Sequence, residues 1–239
     1  MNDKESNQIE SKRETSKIGL NLFVDNLKDN NFSKAVYEQI EKLQKELDDS
    51  ITDFLNIQQQ SDQNECNYYL DTEFLDDKLT ALSEMNIVYA FKDLEINIKK
   101  LLRAAYGIDV QDFYKWKSIL NFLKLKKIKA SELNGYQEIN DLRELNNHIK
   151  HSTSQKINNK IKSIPEFKEH PYLRHYELND FFNRVKDSPY TFLDALSTEI
   201  YKELYEFDSN RLKSLAKLFA LHMDKKSAET FIEELKELY

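Results

Sequence analysis

SEMNIVYAFKDLEINIKKLLRAAYG, residues 83–107, carries Ile87, Phe91, Leu94, Ile98, Leu101 and Ala105 at steps of three and four, with Leu102 beside Leu101. That spacing returns an apolar side chain to one face of a helix on every turn. Gly107 stands where a chain leaving a helix takes left-handed backbone. A central core helix is the expectation.

Upstream, Ser33 offers an N-cap and Val36, Ile40, Leu43, Leu47, Ile51 and Phe54 draw a second seam of the same period. A seam of that kind requires a partner helix. The polar run at 56–67, NIQQQSDQNECN, reads as the helix end and a linker, so an N-terminal helical hairpin is assigned to 17–68, with 1–16 a disordered or solvated tail. Downstream of Gly107, Phe113, Trp116, Leu120 and Leu123 mark another helix ending in the basic run 124–129, and the chain turns at Gly135 into the next. About two dozen residues rich in Lys, Ser, Asn and Pro then read as a long loop. It contains HPYLRH, whose His170 and His175 are assigned to its surface.

A short helix around Phe181 to Val185 follows. Ser188, with Pro189 after it, opens a helix that buries Leu193, Leu196, Ile200 and Leu204. Two short helices close the chain: Leu212, Leu215 and Phe219 mark one, Phe231, Ile232, Leu235 and Leu238 the other, with Asp224 or Ser227 as cap between them. No stretch alternates with period two. The fold class is therefore all-α, with a helical core over 69–207 and a C-terminal helical pair over 208–239.

Composition agrees, because 239 residues hold only 3 Gly and 3 Pro, too few for the turns of an all-β chain or the phosphate loops of a Rossmann-like one. Apolar residues make up 40% and charged residues 32%, with a mean hydropathy of −0.72, as in bundles whose helices each bury one stripe. The 14 Phe and 13 Tyr supply core volume. A single cysteine, Cys66, forms neither an internal disulfide nor a paired-Cys zinc site, which fits a reducing, cytoplasmic setting. The charged N-terminus is no signal peptide, and nothing downstream reaches the roughly 20 apolar residues of a membrane span.

The formal charge of −7 argues against a broad electrostatic grip on duplex DNA but leaves room for a local basic site. P-loop, dinucleotide, metalloprotease, paired-Cys and EF-hand patterns are missing, so neither a nucleotide cofactor nor a metal is expected.

Chemistry concentrates in EINDLRELNNHIKHSTSQ, residues 138–155. On a helix, Ile139, Leu142, Leu145 and Ile149 gather on the buried face, while Arg143, Asn147 and His151 form a polar stripe with Lys150 beside it and His148 further round, next to Glu144. A solvated face accounts for this, with Lys150 and His151 suiting the C-terminal end of the dipole. Yet solvated faces usually mix Glu and Lys, whereas Arg, Asn and His hydrogen-bond phosphate, and His exchanges protons near neutral pH. Asn146 and Asn147 are also poor helix formers to place side by side.

The helix with Trp116, the segment ELNGYQEINDLRELNNHIKHS and the preceding VYAFKDLEINIKKLL together resemble HEPN domains, over roughly residues 80–207. These are all-α proteins of prokaryotic defence and toxin–antitoxin systems, marked by an Arg followed after four to six residues by a His at the end of a core helix. Two registers fit. In one, Arg143 pairs with His148; in the other, NNHIKH sets Asn147 and His151 on the polar residue and the His, with Asn146 where the Arg stands.

The resemblance implies a HEPN-like antiparallel bundle and a metal-independent endoribonuclease working as a homodimer with its motif helices facing each other. Arg143, Asn147, His148 and His151 are then the catalytic candidates, Asn146 and Lys150 bind substrate, and the partners are RNA, a second copy and possible antitoxin or other proteins. Chemically, a His serves as general acid or base for attack by a ribose 2′-hydroxyl while Arg and Asn steady the charge on phosphorus. Glu95 either orients a histidine there or pairs with Lys99. The alternative from another class is a HEPN-like fold without catalysis, serving as a protein-interaction module.

Overall fold

The structure, a computed structural model, describes residues 8–16, 18–19, 31–58, 65–108, 110–152 and 156–238. Helices α1 (Asn31–Gln58), α2 (Glu65–Tyr106), α3 (Trp116–Leu125), α4 (Tyr136–His151), α5 (His175–Val185), α6 (Ser188–Tyr205), α7 (Ser209–His222) and α8 (Lys225–Leu238) follow in order. Among the described residues there is no β-strand, only an isolated bridge between Lys156 and Tyr172. None of their helices is long and apolar enough to cross a membrane.

The periodic stretch over residues 83–107 is the C-terminal part of α2, a helix of 42 residues, with the glycine that ends it. Ile87, Phe91, Leu94, Ile98, Leu101 and Leu102 are all buried in the main core, and Gly107 ends the helix at φ +66°. Its N-terminal part is the second arm of the expected hairpin: Leu79 packs with Ile40 and Leu47 of α1 in a small separate cluster. The hairpin therefore has no break at residue 68, because α2 runs through that position into the core. Residues 8–16 are helical and mostly exposed, so that part of the expected tail is a solvated helix, while residues 1–7 lie outside the described set.

Two expectations about the segment after α4 need correction. The long loop is part of the core: Ile157, Ile161, Ile164, Phe167 and Leu173 are buried, with 3₁₀ turns at Ile161–Ser163 and Pro165–Phe167. Apolar side chains at 157, 161, 164 and 167 keep a helix-like spacing, and that burial offsets the cost of fixing an irregular backbone. His175 is also no surface residue. It is fully buried at the start of α5, with Nδ1 2.8 Å from Asp76 Oδ1 of α2. His170 stays at the surface beside Glu177, 3.1 Å away.

Capping differs in detail. Ser188 is the first residue of α6 and the cap position falls on Asp187. Asp208 and Asp224 are the side chains that cap α7 and α8, accepting from the backbone N–H of Arg211 and Ser227 at 2.7 and 2.8 Å.

Candidate functional site: a basic and amide-rich cleft

Helix α4 is set in place from both ends. At its start Gly135 adopts φ +81°, and a Cβ there would stand 3.0 Å from the backbone oxygen of Ser188, so the absence of a side chain lets α4 approach α6 closely. Along its length Ile139, Leu142 and Leu145 fill the core as the period requires. Arg184 of α5 fixes its rotation. The guanidinium binds Glu166 at 2.6 and 3.1 Å and Asp141 of α4 at 3.2 Å, and Gln137 donates to the other Asp141 oxygen at 2.9 Å. Burial raises the Asp141 pKa, while the Gln137 and Arg184 bonds oppose that shift.

With α4 so oriented, Arg143, Asn146, Asn147 and Lys150 line one wall of a cleft of about 210 Å³. Lys92 and Glu95 of α2 line it as well, and Phe91 and Trp116 contribute aromatic rings whose centroids lie 5.7 Å apart. Asn146 is buried, with its amide 3.5 Å from Asn147 Oδ1. Arg143 donates to Asn140 Oδ1 at 3.2 Å and forms an ion pair with Glu144, yet its Nε is buried with no hydrogen-bond partner. Glu95 makes the expected ion pair with Lys99, at 3.3 Å, while also reaching the cleft. Lys92, Arg143 and Lys150 stand against Glu95 in the lining and Glu144 paired to Arg143, a balance that stays positive and attracts an anion.

The two histidines do not join this wall. At about 100° per residue the four lining residues span about 100° of α4, His151 falls about 40° beyond Asn147, and His148 about 140° from Arg143. His151 is exposed at the last position of the helix. His148 is 8% exposed and turned to the 156–174 segment, where Asn158 Nδ2 lies 3.2 Å from its Nδ1. Burial depresses its pKa, because charging an imidazole away from water is costly. His148 stands further round the helix, as its position in the sequence predicts, and the folded loop covers that flank.

Sequence reading placed Arg143, Asn147 and His151 on one polar stripe with Lys150 beside it; Arg143, Asn147 and Lys150 share a wall of the cleft, and His151 falls outside its lining. It missed Lys92, which had a signal: with Glu95 it flanks Phe91 on the most periodic helix of the chain. Among the described residues no group of three or more His, Cys, Asp or Glu side chains is arranged to hold a metal. No family model, curated protein or solved structure matches the chain.

Proposed function

We propose that this chain is a HEPN-like, metal-independent endoribonuclease that works as a homodimer, of the kind found in bacterial defence and toxin systems, and that its cleft holds the scissile phosphate. The observation that carries the reading is the convergence of Arg143, Asn146, Asn147, Lys150 and Lys92 on one cleft, with the Arg143 Nε left without a partner. Guanidinium, ammonium and amide donors are what phosphate oxygens bind. The half-buried Trp116, backed by Phe91, adds an aromatic surface for an unstacked base.

Of the two registers, the second is favoured. His148 is neutral and enclosed, whereas His151 is exposed one turn after Asn147 and free to meet substrate. In this reaction a ribose 2′-oxygen attacks the adjacent phosphorus, its proton passes to the His151 imidazole, and the bond from phosphorus to the 5′-oxygen breaks. A two-fold dimer brings a second His151 to the same phosphate, and as imidazolium it supplies the proton that the leaving 5′-oxygen needs. The products are a 2′,3′-cyclic phosphate and a 5′-hydroxyl.

A second reading is the helical interaction module without catalysis. It is favoured by Asn146 standing where the family has Arg, and by the distance of both histidines from the cleft lining. Incubating single-stranded RNA with the protein in EDTA separates the two. Cleavage that His151→Ala abolishes and His148→Asn preserves supports the ribonuclease. RNA left intact by a large excess of wild-type protein supports the module.

A further inference from the structure

A strongly basic stretch of this acidic chain begins beside the cleft. Residues 113–131, FYKWKSILNFLKLKKIKAS, hold six lysines and no carboxylate in a protein whose formal charge is −7. At its start Tyr114 and Trp116 alternate with Lys115 and Lys117. Trp116 lines the cleft against Phe91. Tyr114, two residues earlier and therefore within about 7 Å along the backbone, is 87% exposed.

The lysines divide by face. At about 100° per residue and 1.5 Å of rise, Lys117 and Lys124 stand about 20° apart on α3 and about 10 Å apart along its axis, on the exposed side next to Trp116. Ile119 and Leu123 face the core. On the opposite flank, beside Phe122, Lys126 is held over the Tyr106 ring at 4.5 Å, and Lys129 is paired with Glu132 at 2.8 Å. Lys115, Lys117 and Lys124 are exposed and form no ion pair among the described residues. Their placement has a local cost, because Lys115 and Lys117 stand at the positive end of the α3 dipole and its first turn contains no acidic residue. A polyanion lying along this flank offsets that cost.

The rings identify the polyanion. An acidic protein surface pairs with the lysines alone, whereas an unpaired nucleic-acid strand also stacks its bases on aromatic side chains. A duplex keeps its bases stacked inside and leaves Tyr114 unused. The exposed tyrosine, the cleft tryptophan and the lysines between and after them therefore fit a single strand.

We propose that Tyr114 and the ridge of Lys117 and Lys124 on α3 bind the single-stranded RNA to one side of the scissile phosphate, with a flanking base stacked on Tyr114 and flanking phosphates on the two lysines. This extension of the site rests on the reading of the cleft as the place where RNA binds.

The test is the affinity of the full-length protein, by fluorescence anisotropy, for a single-stranded RNA of about twelve nucleotides whose 2′-oxygens are methylated and so cannot attack phosphorus. Tyr114→Ala is expected to weaken binding about tenfold with an unchanged salt dependence, and Tyr114→Phe, which keeps the ring, to bind like wild type. Lys117→Ala with Lys124→Ala is expected to weaken binding and to reduce the slope of log affinity against log salt by about 1.4. On an abasic backbone of the same length the tyrosine effect disappears and the lysine effect stays. All three side chains are exposed, so helical content by circular dichroism stays at the wild-type level. Wild-type affinity in Tyr114→Ala or in the double lysine variant, with Lys150→Ala still weakened, overturns the proposal and leaves the cleft as the RNA site. A tyrosine effect of equal size on RNA and on the abasic backbone overturns it as well. Weakened binding in the α3 variants of a protein that cuts no RNA keeps the proposal and overturns the ribonuclease. A wild type that does not bind RNA overturns both.

Discussion

The amide of Asn158 fixes the tautomer of His148. Its Oδ1 accepts from the backbone N–H of Lys160 and Ile161 at 2.9 and 3.1 Å, which leaves Nδ2 to face His148 Nδ1 at 3.2 Å. An NH₂ group only donates, so Nδ1 is the acceptor and the ring proton sits on Nε2, which is buried without a partner. His148 is a neutral clamp between α4 and the loop that follows it.

Stability follows from that protonation state. In the unfolded chain a histidine takes up its proton near pH 6.5. His148 and His175 are both held below that value in the fold by burial, in His175 against the opposing pull of Asp76, Glu177 and Asp48. Below about pH 6.5 the unfolded state thus binds more protons, and stability falls as pH falls. The melting temperature should be flat from pH 8 to 7 and decline toward pH 5.5. His148→Asn keeps an acceptor for Asn158 and cannot titrate, so it should shrink that decline. An equal decline in both proteins would show that His148 is not the group responsible.

Gly135 and Gly107 both have positive φ, and they separate strain from crowding. Alanine at Gly107 meets open space, so it should cost only the left-handed backbone penalty of about 1 kcal/mol. At Gly135 the new Cβ would also stand 3.0 and 3.3 Å from the backbone of Ser188 and Phe192. Gly135→Ala should therefore cost clearly more, about 2–3 kcal/mol in urea unfolding, with α4 and α6 forced apart. Equal losses at the two sites would mean that α4 and α6 yield without cost.

Removing the Arg184 guanidinium leaves Asp141 and Glu166, both largely buried, without their shared cation. Arg184→Ala should destabilise the fold by about 2 kcal/mol, and the loss should shrink at low pH as Asp141, whose pKa burial raises, takes up its proton. Double substitution with Asp141→Asn should recover part of it. Purely additive losses would rule out coupling across that contact.

Helix periods were legible wherever burial is one-sided: Ile87, Phe91, Leu94, Ile98, Leu101 and Leu102 of α2 and Ile139, Leu142 and Leu145 of α4 are all buried. Less legible was the segment of residues 156–174, because Lys, Asn and Pro between its isoleucines suggest a solvated loop, whereas its fold depends on long-range contacts such as Phe167 against Phe181, 5.8 Å apart. The burial of His148 was hidden for the same reason, since no period on α4 reveals that a later loop will cover one flank. Arg143, Asn147 and Lys150 were legible because i, i+4, i+7 spacing is a property of the helix alone.

The cleft makes a last, electrostatic prediction. Lys92 comes from α2 and Lys150 from α4, so the ribonuclease reading requires both to act on one bound phosphate despite their separation in sequence. For a short single-stranded RNA followed by fluorescence anisotropy, Lys92→Ala and Lys150→Ala should each weaken binding and reduce the slope of log affinity against log salt by about 0.7. Glu95→Gln should do the reverse. It removes the carboxylate from the cleft and releases Lys99 from its ion pair, so affinity should rise by about threefold at low salt and less at high salt. Lys202→Ala is the control, because that residue lies in the groove beside α7, paired with Glu199. If Lys92→Ala binds like wild type, or Lys202→Ala is as weak as Lys150→Ala, the cleft is not where RNA binds and the attraction is a diffuse property of the surface.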